Sequence, residues 1–113
     1  MSDDVAELLE LLDDEYARTI LVETHEEPLA ADALAEACDA SPSTVYRRIE
    51  RLKDQQLLEA EQRLDPDGHH HEVYSARLQR ATVEVTTDGF QLEVDRTTAP
   101  AARFTKLYEG IKG

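Results

Sequence analysis

Tryptophan is absent from this chain, phenylalanine occurs twice and tyrosine four times. With so few rings, the core must be built from aliphatic side chains. At 113 residues it is a single modest core, one that two copies could have to share. Cys38 is the only cysteine, which excludes an intramolecular disulfide and a multi-cysteine zinc site. No apolar run approaches the roughly 20 residues that span a bilayer. The acidic start, Met1-Ser2-Asp3-Asp4, lacks the basic opening of a signal peptide. The expectation is a cytoplasmic protein of one domain, residues 1–113, with no membrane partner. A Gly-rich phosphate loop and a nucleophile motif are also missing, and the carboxylates are spread along the chain rather than gathered as a facing pair. No catalytic residue, enzyme activity, cofactor or metal is therefore expected.

Positive charge is scarce as well. Acids number 25 against 12 basic residues, giving a formal net charge of -13, and only three of the basic residues are lysines. A disordered acidic chain would not carry the clear apolar periodicity seen here. An acid-coated, lysine-poor surface is the solution halophiles adopt for solubility in concentrated salt, with inorganic cations held at the carboxylates. An acidic protein of an ordinary cytoplasm is the alternative.

Against that background one stretch stands out. Residues 41–53 (Ser-Pro-Ser-Thr-Val-Tyr-Arg-Arg-Ile-Glu-Arg-Leu-Lys) hold four basic residues and one acid, a local +3. Residues 1–40 hold thirteen acids and only Arg18, a local -12. At about 100° per residue, Val45, Ile49 and Leu52 fall on one helical stripe. Ser43, Thr44, Arg47 and Arg51 lie roughly opposite, with Arg48 at the margin. One face is made to be buried and the other to meet something anionic.

The rest of the chain supplies a frame for this helix. Residues 4–12 place Val5, Leu8, Leu9 and Leu12 at helical spacing, with Asp3 or Asp4 as N-cap. Asp13 or Asp14 interrupts this helix or starts the next, about residues 14–25, which puts Tyr16, Ala17, Ile20 and Leu21 on one side and ends before Pro28. Residues 30–38 form a short alanine-rich helix with Leu34 and Cys38 inward. Asp39-Ala40-Ser41-Pro42 is a tight connection in which Asp39 takes the place of the usual glycine, Ser41 is the N-cap and Pro42 suits the first turn. With the small Ala35 at the closest approach, residues 30–56 make a helix-turn-helix.

After Leu57 the period shifts toward two. Leu58, Ala60 and Leu64 alternate on one face of a strand, Asp65-Pro66-Asp67-Gly68 turns, and a second strand covers residues 73–78. A hairpin placed directly after such a helix is a wing, residues 58–78. A further hairpin spans residues 82–94. A two-residue turn at Asp88-Gly89 would pair Val85 with Leu92 and Val83 with Val94, and would set Glu84 against Glu93, a repulsion that concentrated cations would relieve. Residues 99–112 read as a last helix with Phe104, Leu107, Tyr108 and Ile111 as its stripe. The fold class is α+β: a winged helix-turn-helix with an additional β-hairpin and flanking N- and C-terminal helices. Val5, Leu8, Leu9, Leu12, Phe104, Leu107, Tyr108 and Ile111 are the expected dimerisation residues, packing across a two-fold axis.

The segment from Leu34 to Leu52, followed by Leu57-Leu58 and the Asp65-to-His71 wing, resembles haloarchaeal winged helix-turn-helix transcription regulators of the broad ArsR/PadR/MarR-like group, and within it the RosR type linked to the oxidative-stress response. The resemblance covers about residues 12–94. It implies a homodimer that binds a pseudo-palindromic site in double-stranded DNA with the 41–53 helix in the major groove. It places Ser43, Thr44, Tyr46, Arg47, Arg48 and Arg51 at the DNA, together with the N-cap Ser41, and gives Arg63, His69, His70 and His71 to the wing. Metal sensors of the ArsR group carry paired cysteines near this motif. Here Cys38 stands alone, so a thiolate metal switch is not expected.

Each feature has a plainer alternative. The arginines could pair with nearby acids such as Glu50 or Asp54 on a solvated face. The run His69-His70-His71 could be a DNA-contacting wing tip, a metal site or a solvated turn; adjacent residues of a strand face opposite ways, so one strand cannot aim all three at one ion. Cys38 reads as a small core residue. The whole chain could instead be a winged-helix protein-interaction module in a transcription or replication assembly.

Overall fold

The computed structural model describes residues 3–97. Four helices come first: α1 (Asp3–Asp13), α2 (Glu15–Glu23), α3 (Ala31–Cys38) and α4 (Pro42–Asp54). Two antiparallel hairpins follow, β1 (Leu58–Leu64) with β2 (His70–Ala76), and β3 (Leu78–Thr86) with β4 (Gly89–Arg96). The expected C-terminal helix and its Phe104, Leu107, Tyr108 and Ile111 lie outside the described residues.

The helix boundaries follow from local chemistry. Asp14 separates α1 from α2 and caps the second, its side chain accepting from the Ala17 amide at 2.8 Å. Asp39 ends α3 in the left-handed conformation (φ 53, ψ 47), and the Ala40 amide then reaches the Ala35 carbonyl at 3.1 Å. Ser41 caps α4 by accepting from the Thr44 amide at 3.2 Å. Gln56 (φ 61) ends α4 in the same left-handed way, and the Leu57 amide closes onto the Leu52 carbonyl at 2.9 Å. Leu52 and Leu57 are both fully buried, which supplies the apolar contact that accompanies this kind of helix end.

One core joins these pieces. Val45, Ile49 and Leu52 of α4 pack with Ala17, Ile20 and Leu21 of α2, Leu34 and Ala35 of α3, and Leu57, Leu58 and Tyr74 from the sheet side. Burying an aliphatic side chain is worth about 1.5–3 kcal/mol, so the α4 stripe is a principal anchor of the domain. Leu29, just before α3, pairs with Tyr74 through two backbone hydrogen bonds of 2.8 and 3.0 Å, tying the helix-turn-helix to the wing.

Two expectations need correcting. In α1, Leu8 and Leu11 are the buried residues, at 8% and 0% exposure, whereas Val5, Leu9 and Leu12 are half-buried. Leu8 therefore belongs to the chain's own core and not to an outward dimerisation stripe. In the second hairpin the two-residue loop is Thr87-Asp88, one position earlier than expected. The Thr86 hydroxyl donates to the Gly89 carbonyl at 2.9 Å and accepts from the Asp88 amide at 3.1 Å, and Gly89 (φ 127) starts β4 with a backbone that favours glycine. The register becomes Val83 with Leu92, Val85 with Phe90 and Ala81 with Val94. The apolar face survives because pairing has slipped by two residues. Glu84 now faces Gln91 and Glu93 faces Thr82, so the expected glutamate repulsion does not arise.

Candidate nucleic-acid interface

The buried stripe of α4 fixes which side chains can face outward. Ser41, Pro42 and Ser43 are exposed at its N-terminal end, and Ser41 Oγ donates to Thr44 Oγ1 at 2.9 Å. Tyr46, 49% exposed, Arg47 and Glu50 occupy the outer face. The Arg47 side chain makes no hydrogen bond or ion pair with another described residue.

The other two arginines are engaged. Arg48 meets Asp14 in a bidentate pair, Nε to Oδ2 at 2.9 Å and Nη2 to Oδ1 at 3.1 Å, and its guanidinium lies 5.5 Å from the centre of the Tyr16 ring. Partial burial disfavours charge on Asp14, but the Arg48 hydrogen bond, the Ala17 amide and the fields of Arg48 and Arg51 outweigh it and hold its carboxyl below the usual range. Arg51 reaches α1 instead. Its Nε donates to Glu7 Oε2 at 2.9 Å, and its Nη2 lies 2.9 Å from the same oxygen and 3.3 Å from Glu10 Oε1. Lys53 sits 3.5 Å from Glu50. The plainer alternative thus holds for Arg48 and Arg51, with acids from the α1–α2 region rather than from α4 itself. Nothing in the local sequence announces these partners; a signal lay in the spacing of Glu7 and Glu10, three apart and on one side of a helix.

The wing projects from the same body. Arg63 stands opposite His71 in the register, and Arg63, His69 and His70 are exposed. His71 Nδ1 lies 3.0 Å from Asp65 Oδ1, close enough for an ion pair although it makes no hydrogen bond, and His69 Nδ1 lies 3.2 Å from Asp67 Oδ2. His69 and His71 are thus set against the wing's own carboxylates. Among the described residues no group of three His, Cys, Asp or Glu side chains is placed to hold a metal ion. Cys38 is half-buried, with Sγ 3.8 Å from the Tyr16 carbonyl. Burial pushes its thiol up, and the charges of Asp14, Glu23 and Glu15 push the same way. No described helix is long and apolar enough to cross a membrane.

A family profile described as a helix-turn-helix domain matches residues 11–61, which takes in α2, α3, α4 and the start of the wing. No curated protein matches the chain. Domains of this kind are typically non-enzymatic. Fold and match together make this an α+β winged helix-turn-helix protein, and its helix-turn-helix domain supports a DNA-binding regulator.

Proposed function

We propose that the protein is a sequence-specific transcription regulator of a halophile, acting as a homodimer on a pseudo-palindromic DNA site with α4 in the major groove. The observation that carries this reading is the outer face of α4. Arg47 stands unpaired among the described residues beside exposed Ser43 and Tyr46, on a helix whose opposite stripe is wholly buried. A free guanidinium can take both major-groove acceptors of guanine, while hydroxyls at the helix start suit phosphate. Arg63 and His69 to His71 would serve the adjacent wing. Arg48 and Arg51 reach DNA only if their carboxylate pairs open.

The dimer would use Val5, Leu9 and Leu12 of α1 together with Phe104, Leu107, Tyr108 and Ile111. Its recognition helices would enter grooves about one turn, ~34 Å, apart. The resemblance of the sequence adds the oxidative-stress response as the setting. Inorganic cations between surface carboxylates and phosphates would offset the repulsion of an acidic protein. Affinity should then be flat or rising with KCl, where ordinary counterion release gives a steep fall.

The test is Arg47→Ala against duplexes selected by the wild-type protein from a random pool. Losing a base-reading arginine should cost about 1–3 kcal/mol and relax preference at one base position. Unchanged affinity and preference would remove this reading. One observation favours a second: Arg48 and Arg51 already bind carboxylates, so α4 is suited to an acidic protein surface. That interaction-module reading predicts no selection of any duplex sequence.

A further inference from the structure

The three arginines of α4 differ in how firmly they are held. Arg48 and Asp14 are 24% and 22% exposed at their side chains, bidentate, and coupled to the cap of α2. That pair is part of the fold. Arg51 is different. Its side chain is 37% exposed and its partners Glu7 and Glu10 are 35% and 70% exposed, so water and salt reach all three groups. Arg51 also lies one helical turn beyond Arg47, and the DNA reading then brings it within reach of the phosphate backbone.

We infer that Glu7 and Glu10 of α1 set DNA affinity by competing with phosphate for Arg51. The chemistry is an exchange of like for like. Both carboxylates approach the edge of the guanidinium, Nε and Nη2, that an incoming phosphate oxygen pair would use. With one positive charge between two carboxylates, the cluster carries -1 as it stands and repels phosphate. Once the pairs open, the same position offers a free cation. Half-exposed pairs are weak and fade as salt rises, so salt loosens the competitor. It weakens the phosphate contact too, but two carboxylates are released for each phosphate gained. The exchange thereby lowers the salt penalty of binding. This inference rests on the DNA reading and adds to it residues that touch no DNA.

A double-mutant cycle tests it, read by fluorescence anisotropy on a labelled duplex selected by the wild-type protein, across a KCl series. Glu7→Gln with Glu10→Gln should tighten binding roughly five-fold at low KCl, the order expected for two exposed pairs. The gain should shrink toward one-fold in molar KCl. Removing acids lowers general repulsion as well, so Glu26→Gln with Glu27→Gln serves as the charge control. In an Arg51→Gln background the α1 substitutions should give no more than that control. Thermal melts followed by circular dichroism check that α1 stays folded. The same five-fold gain without Arg51, or a gain independent of KCl, or no gain beyond the control, each overturns the inference while leaving DNA binding intact. A wild-type protein that binds no duplex at any KCl overturns both.

Discussion

Asp14 carries two loads, and they can be separated. Its Oδ2 accepts from the Ala17 amide at 2.8 Å and from Arg48 Nε at 2.9 Å, while Oδ1 takes Arg48 Nη2 at 3.1 Å. Asp14→Asn keeps an acceptor for the α2 cap and removes the charge. Asp14→Ala removes both. A helix cap is worth about 1 kcal/mol, and a hydrogen-bonded charge pair that is mostly shielded from water about 1–2 kcal/mol. The expected losses are therefore about 1–2 kcal/mol for Asn and about 2–3 kcal/mol for Ala. At about 4–8 °C per kcal/mol for a domain of this size, the alanine variant should melt at least ~8 °C lower. Urea unfolding of Asp14→Ala, Asp14→Asn, Arg48→Ala and the double Asp14→Ala/Arg48→Ala at fixed KCl reads the coupling directly, with about 1 kcal/mol or more expected between the two residues. Acid supplies a second reading. The Asp14 carboxyl is held below its usual value, so its contribution is fully present above the ordinary carboxylate pKa of about 3.9 and is lost as pH falls through the lower folded value. Asp14→Asn should lose less stability than wild type over that acid range. Additive single losses, or identical acid profiles for wild type and Asp14→Asn, would refute the account of an Asp14 that both caps α2 and holds Arg48 of α4.

Three further outcomes follow from packing and backbone. Leu11→Ala empties a fully buried site and should cost about 2–5 kcal/mol in urea unfolding, while Leu9→Asp, on the outer side of α1, should shift sedimentation toward monomer under the dimer reading and cost the fold much less. Asp39→Gly at φ 53 should raise stability by about 0.5–1 kcal/mol, since glycine adopts that conformation without a Cβ penalty; a lower melting temperature would show that the aspartate side chain does more than end α3.

Much of this architecture is legible in the chain. The stripe Val45-Ile49-Leu52, the Ser41 cap, the left-handed Asp39 and the wing turn each follow from short-range rules, and each appears where those rules put it. α1 is harder to read because Val5, Leu8, Leu9, Leu11 and Leu12 span nearly half its circumference, about 160° at 100° per residue. Periodicity alone does not say which side meets the core; docking against α2 selects Leu8 and Leu11. In the second hairpin the local pattern allows two loop positions, because Gly89 can serve inside a tight turn or just after it. The Thr86 hydroxyl decided for the latter. Helix angle sets Arg51 beside Arg47 and Arg48 at the margin of that face, and says nothing of what Arg48 and Arg51 pair with. Their carboxylates come from residues 34 to 44 positions away, a distance no local pattern spans.

That long-range pairing changes what α4 can do. Its local +3 is not all available to a ligand, since Arg48, Arg51 and Lys53 each have a carboxylate within 3.5 Å. Arg47 alone remains free among the described residues of the helix. Under the DNA reading, a helix with one free cation, exposed hydroxyls and Tyr46 is poorly equipped to hold DNA by charge and better equipped to read it at base edges. Non-specific binding, which is almost wholly electrostatic, should therefore be weak. The specificity ratio can be high even where the affinity is moderate. Under the halophile reading the electrostatic term has little to give in any case, so arginines spent on holding α1, α2 and α4 together cost DNA binding little. On the DNA reading, Arg47 is the guanidinium left free for base edges, and Arg51 joins it only when its pairs with Glu7 and Glu10 open.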